Sequence, residues 1–291
     1  MTAMKYILYN PCAGGNESEN EIKKLKESYD NAVLINICCI TSYETFFDGL
    51  EEDDTVILCG GDGTLNRFAN ATKDLGIKNK IYFFPTGTGN DFARDLGYGK
   101  YELTGVNINP YLEHLPRVTV NGRESLFINN VGFGIDGYCC ETGDKLREQN
   151  EKSKNPKPVN YTNIAIQGLL FHFKPRNAVI TVDGKKYTYK KVWLAPAMNG
   201  RYYGGGMMAA PDQNRENAAH QVSLMVYHNL GKLRALMIFP SIFKGEHVKH
   251  KKNITILTGN EIEVTFDRPT PLQIDGETIK DVTAYHVHAG V

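Results

Sequence analysis

Two glycine-rich stretches, Gly60-Gly61-Asp62-Gly63-Thr64 and Pro85-Thr86-Gly87-Thr88-Gly89-Asn90-Asp91, hold the residues best suited to chemistry. The first follows the apolar run Thr55 to Cys59 and precedes a helix-like stretch, Leu65 to Asp74; the second follows Ile81 to Phe84 and opens another, Asp91 to Leu96. A glycine loop between strand and helix exposes backbone N–H groups beside a positive helix end, which suits a phosphate chain. Asn90 stands at a natural N-cap position. Asp62 is the anomaly, because an acid among phosphate-cradling amides would repel the ligand. It makes sense if Mg²⁺ stands between them or if the carboxylate takes a proton from an incoming hydroxyl; a plain helix cap is the structural alternative. Asn10-Pro11-Cys12-Ala13-Gly14-Gly15 closes the first strand and adds a third loop. None of the three continues as the Gly-Lys-Ser/Thr of a P-loop, and Gly87-x-Gly89 lacks the later glycine of the dinucleotide fingerprint.

The elements that must carry these loops alternate: strand Lys5 to Tyr9, helix Glu19 to Tyr29, strand Ala32 to Cys39, helix Tyr43 to Leu50, then the two motif units. That order predicts a parallel α/β sheet whose loops converge at the strands' carboxyl ends, where such folds bind ligands. After Pro110 the pattern turns β-rich, with strands expected at 117–121, 125–131, 178–182, 186–194, 222–228, 253–258, 261–266 and 284–288. Turn pairs such as Asn121-Gly122 and Asp183-Gly184 point to a sandwich or barrel. Two helical pieces, 161–170 and 232–243, interrupt it, and Glu148 to Pro158 reads as an exposed loop. The expected division is an α/β nucleotide-binding domain, 1–111, and an all-β sandwich, 112–291, whose last few residues could return to the first domain.

Composition narrows the function classes. Thirty-three basic and thirty-three acidic residues cancel, which argues against nucleic-acid binding driven by net charge. The six cysteines include no Cys-x-x-Cys and read as buried, reduced thiols of a cytosolic protein. Met1 to Tyr9 lacks the apolar core of a signal peptide, and no apolar run approaches the ~18 residues of a membrane span. The expectation is a soluble, cytoplasmic protein that could still work peripherally at the inner membrane face.

Taken together, the motifs resemble those of the soluble diacylglycerol kinase catalytic-domain family, which includes sphingosine, ceramide and bacterial lipid kinases. Gly60 to Thr64 with Asn66 matches its GGDGTxN loop, Pro85 to Asp91 its P-x-G-T-x-N-D block, and Asn10 to Gly14 its opening NPxAG. Gly132 to Asp136, Asn199-Gly200 with Gly204 to Met207, and Asp275-Gly276-Glu277 match later blocks in order. The resemblance implies an NAD-kinase- and phosphofructokinase-like first domain, a β-sandwich second domain and ATP in the cleft between them. By matching positions, Gly60, Gly61, Asp62, Gly63, Thr64, Leu65, Asn66 and Thr88 are candidate ATP contacts, and Thr41, Asn10, Gly87, Asn90 and Asp91 join them. Glu277 matches the proton acceptor of bacterial members, whereas the sphingosine kinase branch gives that role to the position of Asp62. Our assignment is Glu277 as base and Asp62 as the residue that organises Mg²⁺ on the triphosphate. Asp275-Gly276 could equally be a hairpin turn with Glu277 exposed beside it.

The sequence also departs from the pattern. Arg67 follows the loop's Asn66 where Glu or Gln is usual, and Glu216-Asn217-Ala218-Ala219-His220 replaces the Asp-Asp-Gly turn that binds a structural magnesium in bacterial members. That metal site is doubtful, with Asp212 and Glu216 as partial ligands. For the lipid acceptor, Ile164 to Phe171 offers apolar side chains, though such a stripe is more often plain core. The run Lys244 to Lys252 could attract anionic headgroups, with His247 and His250 adding charge at low pH. An exposed edge of the β-rich part could pair across a homodimer. Two other functions are compatible with parts of the pattern: an NAD kinase-like small-molecule kinase, and a nucleotide- or lipid-binding regulator with weakened catalysis.

Overall fold

The computed structural model describes residues 3–11, 15–102, 105–151, 159 and 161–290. The chain forms two compact units, Met1–Leu115 and Pro116–Val291. Cys12 to Gly14 of the third loop, and 152–158 of the expected exposed loop, lie outside the described residues.

In the first unit, strands β1 (Lys5–Tyr9), β2 (Ala32–Asn36), β3 (Thr55–Gly60), β4 (Lys80–Pro85) and β5 (Val106–Asn107) lie in the order β2-β1-β3-β4-β5. The first four run parallel and β5 pairs antiparallel with β4. Helices α1 (Gly15–Glu27), α2 (Tyr43–Asp48), α3 (Asp62–Thr72), α4 (Asp91–Asp95) and α5 (Asn109–Leu112) connect or follow them. The central β3 is buried from Val56 to Gly60, as a strand covered on both faces must be. The expected strand 32–39 stops at Asn36, because the Asn36 side chain accepts the Cys38 N–H at 2.9 Å and turns the chain into a short 3₁₀ segment. This turn leaves Cys38 and Cys39 exposed, correcting their reading as buried thiols.

The second unit is a β-sandwich. Its strands are β6 (Arg117–Val120), β7 (Arg123–Leu126), β8 (Asn130–Gly134), β9 (Arg176–Val182), β10 (Lys185–Val192), β11 (Leu194–Met198), β12 (Tyr202–Tyr203), β13 (Met207–Met208), β14 (Val222–Tyr227), β15 (Ile254–Gly259), β16 (Glu261–Ile274) and β17 (Glu277–His288). Three helices accompany them: α6 (Ile135–Glu151), α7 (Tyr161–Gln167) and α8 (Lys232–Ile238). The main path runs β15-β14-β11-β8-β16-β17-β6-β7, while the hairpin β9-β10 joins β16. β16 makes this possible: Ile262 to Phe266 pair with β9 and Leu272 to Ile274 pair with β8. Its pairing with β17 shifts register between Thr265 and Leu272, where Pro269 and Pro271 withhold ladder donors. The core between the faces gathers Phe133, Phe266 and Tyr285, the first two stacked at 4.6 Å between centroids.

Several expected boundaries change. The expected strand 125–131 is two strands, β7 and β8, and the expected 186–194 is β10 with the start of β11. β16 runs well past Phe266, and β17 begins at Glu277 rather than Ala284. The helix α6 was not anticipated, and it absorbs Glu148 to Glu151 from the expected loop. Its Gly137, Cys139, Cys140, Thr142 and Gly143 are all poor helix formers. Packing supplies what propensity lacks: a side chain at Gly137 would strike the Pro271 carbonyl oxygen at 2.1 Å, so the helix lies directly on β16. The turns Asn121-Gly122 and Asp183-Gly184 have positive φ at both residues, 50° and 75°, and 47° and 78°, the geometry that suits two-residue hairpins.

Candidate functional site

In the first unit the glycine loops are built against each other. The Gly60 carbonyl ends β3 and accepts the N–H groups of Thr86 (2.8 Å) and Gly87 (3.2 Å) at the end of β4. A β-carbon on Gly87 would lie 2.5 Å from the Gly61 α-carbon and 2.9 Å from the Asn90 Oδ1, so the two main chains touch where any side chain would separate them. A β-carbon on Gly60 would strike the Thr64 side chain at 2.4 Å, whereas Gly63 faces open space. The third loop joins through Asn10, whose Nδ2 donates to the Thr64 Oγ1 at 3.1 Å. Ser18, at the start of α1, donates its hydroxyl to the Thr86 carbonyl at 3.0 Å.

Asp62 sits at the head of α3, and its two oxygens accept the N–H groups of Asp91 (2.9 Å) and Phe92 (3.0 Å). It therefore caps α4, the task expected of Asn90. Asn90 instead takes a left-handed conformation, φ 48° and ψ 45°, and turns its Nδ2 back to the Gly87 carbonyl at 2.7 Å. A carboxylate offers about four lone-pair sites, so this capping leaves Asp62 able to face a cation as well. No side chain caps α3 itself. The Thr86 hydroxyl and the Asn90 Oδ1 are buried with no hydrogen-bond partner among the described residues, and a buried polar atom left unpaired calls for a partner such as a bound ion or ligand. Glycine backbone without side chains in the way, two orphaned polar atoms and an acid with spare lone pairs form a set that fits a magnesium-bound polyphosphate.

The other candidates divide. Thr41 and Thr88 are exposed on loops at the carboxyl side of the parallel strands. Asn66 is buried on α3, its Oδ1 3.3 Å from the Asn70 Nδ2. Asp91 is buried, with Oδ1 3.4 Å from Arg94 Nη1. The Leu65 side chain lies in the core at 1% exposure and its N–H donates to the Gly61 carbonyl.

In the second unit Asp275 and Gly276 form the hairpin turn between β16 and β17, with φ of 45° and 91°, and Glu277 emerges exposed opposite Ile274. Asp275 holds the turn in place. Its carboxylate accepts three successive N–H groups, from Ile128 (2.5 Å), Asn129 (2.8 Å) and Asn130 (2.9 Å), and its own N–H donates to the Asn130 carbonyl (2.9 Å). Gln273 steadies the same turn, its Oε1 accepting the Gly276 N–H at 2.8 Å. Behind the hairpin, Asp136 at the start of α6 accepts the Gly137 N–H at 2.8 Å, and burial pushes its carboxyl up to about 6. Burial first, then the carboxylates of Asp136 and Asp144 and more weakly Glu277, push the Cys140 thiol up to about 12.

The residues at the doubtful structural magnesium site do not fit a bound ion. Asp212 and Glu216 are both exposed, and among the described residues no cluster of His, Cys, Asp and Glu could hold a metal ion. Arg215 lies between them, 8% exposed, with Nη1 donating to the Ile128 carbonyl (2.5 Å) and Nη2 to the Asn129 Oδ1 (2.6 Å). The segment gripped from one side by Asp275 is gripped from the other by a fixed cation, and a divalent ion beside it would be repelled. Sequence reasoning missed Arg215, because an arginine in a polar loop gives no sign of burial.

The expected lipid-side residues also divide. Ile164 and Ala165 belong to a core cluster, while Ile166 and Phe171 are exposed. His247 is fully buried, 3.0 Å from the Ala209 carbonyl through Nε2, and burial lowers its pKa; it adds no surface charge, which corrects that expectation.

The diacylglycerol kinase catalytic domain matches residues 5–116, and the YegS C-terminal NAD kinase beta sandwich-like domain matches 129–288. The chain belongs to the diacylglycerol kinase catalytic-domain family. It is 24% identical to the diacylglycerol kinase of Bacillus subtilis (strain 168), over 93% of this chain and 88% of the relative. It is 26% identical to the diacylglycerol kinase of Staphylococcus carnosus (strain TM300), over 78% and 72%. Among solved structures, a diacylglycerol kinase from Bacillus anthracis str. Sterne superposes with a TM-score of 0.63 at 18% identity, covering 99% of this chain and 94% of that one, a likeness of fold.

Proposed function

We propose that the protein is an ATP-dependent lipid kinase that transfers the γ-phosphate to the hydroxyl of diacylglycerol or a related lipid alcohol. It would do so as a cytoplasmic protein working peripherally at the inner membrane face. The contact between Gly61 and Gly87, with Asp62 beside it, carries this reading: two amide-bearing loops meet around one acid.

The main chain of Gly60, Gly61, Gly63 and Gly87 would bind the phosphates of ATP, with Thr88, Thr41 and the Asn10 loop on the nucleotide. Asp62, Asn90 and the Thr86 hydroxyl would hold the magnesium and phosphate oxygens. Magnesium, when bound, spreads the charge that builds on the transferring phosphoryl group. By the role its matching position implies, Glu277 would accept the hydroxyl proton of the lipid acceptor, whose oxygen would take the γ-phosphoryl group while the bond to the β,γ-bridging oxygen breaks and ADP leaves. A lipid hydroxyl is a poor nucleophile, so a base in reach is worth about 10²–10⁴ in rate. Asp275 holds the hairpin that carries Glu277.

ADP release measured with diacylglycerol, other lipid alcohols and NAD⁺ as acceptors tests the proposal. Turnover with a lipid alcohol supports it. Turnover with NAD⁺ alone would make the protein a small-molecule kinase, and no turnover with any acceptor would leave a binding protein.

A further inference from the structure

On the second unit, α8 leaves one side without a partner among the described residues. Ala235 and Ile238 are buried, while Leu233 and Met237, one helical turn apart, are 75% and 73% exposed. The π-helical turn Gly168–His172 packs against α8 and carries Phe171, 72% exposed. Lys232 ties the two together, donating from Nζ to the Leu170 carbonyl at 2.9 Å. Large apolar side chains so bare, three on two adjoining elements, mark a contact surface rather than ordinary surface scatter.

The charge around them indicates the partner. The whole chain is balanced at thirty-three of each sign, yet residues 232–252 contain six basic residues, Lys232, Arg234, Lys244, Lys249, Lys251 and Lys252, all exposed. The one acid among them, Glu246, is paired with Lys249 at 3.0 Å. Lys232 and Arg234 share α8 with the apolar tips, the 3₁₀ turn Phe239–Lys244 packs against α8 and the turn Glu246–Lys249 against that one; protruding apolar groups on such a basic region suit an anionic bilayer, where apolar groups enter the acyl boundary and lysines stay at the phosphates.

We infer that α8, the Phe171 turn and the basic segment 244–252 form the surface by which the protein docks on anionic membranes. This rests on the lipid-kinase reading, because the substrate of such an enzyme lies in a bilayer.

Co-sedimentation with vesicles of phosphatidylglycerol and phosphatidylcholine, against phosphatidylcholine alone, tests the surface. The wild type should bind the anionic vesicles and lose affinity as salt rises. The variant L233S/M237S should bind at least tenfold more weakly, F171S should weaken binding on its own, and K244Q/K249Q/K251Q/K252Q should lose most of the salt-sensitive part. Thermal melting checks that each remains folded, and L233S/M237S should keep wild-type turnover of a short-chain, monomeric diacylglycerol. Undiminished vesicle binding by both multiple variants would overturn the inference. So would retention on an acidic polypeptide but not on vesicles. A wild type that phosphorylates monomeric lipid yet ignores anionic vesicles overturns the docking surface and leaves the kinase; vesicle binding lost in the variants without turnover of any lipid supports the surface and sinks the kinase.

Discussion

Asp62 accepts the backbone N–H of Asp91 at 2.9 Å, across a separation of 29 residues, so the acid of one glycine loop fixes the start of the helix that follows the other. Asp62→Asn should therefore act twice. Its amide can accept one of the two N–H groups but opposes the second, at about 1–3 kcal/mol of stability, and turnover should fall more than a hundredfold with loss of the cation-facing charge. Melting curves and ADP release measured on the same samples separate the two effects.

Gly87→Ala and Gly63→Ala form a matched pair. The first drives a methyl into the Gly61 backbone at 2.5 Å, which should cost about 1–3 kcal/mol. The second meets nothing within 4 Å and should stabilise α3 by about 0.5–1 kcal/mol. A rise in KM for ATP in the stable Gly63→Ala protein would show phosphate approaching that backbone. An unchanged KM would remove Gly63 from the nucleotide site.

Glu277→Gln should keep the fold and ATP binding, because the Glu277 side chain is exposed and Asp275 holds the hairpin. Turnover should fall about 10²–10⁴-fold if Glu277 is the base. Full activity in this variant together with a dead Asp62→Asn would transfer that role to Asp62.

Arg215→Met leaves the Asn129 Oδ1 without this donor and takes one from the Ile128 carbonyl, at about 1–3 kcal/mol for each buried group left unmet. The wild-type protein without nucleotide should melt at the same temperature with and without EDTA. A lower melting temperature in EDTA would reveal a structural metal and contradict the role given to this arginine.

Asp136 makes stability depend on pH. Burial raises its carboxyl from 3.8 to about 6 in the folded protein, so the folded state holds a proton that the unfolded state gives up. Below about pH 4 both states are protonated and there is no penalty. Stability falls as pH rises from about 4 to 6, and above that the full penalty of about 3 kcal/mol applies. Asp136→Asn should raise the melting temperature at pH 7.5 and leave it unchanged near pH 3.5.

The first unit was legible because its sequence states the fold locally: apolar strands end in glycine, and helix-like stretches follow at once. Gly60 to Thr64 and Pro85 to Asp91 thus predicted two loops at one sheet edge. Their contact could not be read, since nothing in either segment shows that Gly61 and Gly87 touch or that Asp62 rather than Asn90 caps α4. In the second unit the hairpins at Asn121-Gly122 and Asp183-Gly184 declared themselves through residues that tolerate positive φ. Helix α6 did not, because its sequence disfavours helix and tertiary packing against β16 overrides it. Asp275 and Arg215 meet on Ile128 to Asn130 from positions about 150 and 90 residues away, a distance at which no local pattern survives.

One strand, β16, belongs to both faces of the sandwich: its first half pairs with β9, its second with β8, and its tip carries the turn before Glu277. Neither face can peel away while the other stays whole. Heat or denaturant should take this half of the molecule apart in a single cooperative step, and the proposed base should vanish with the last of its scaffold rather than before it.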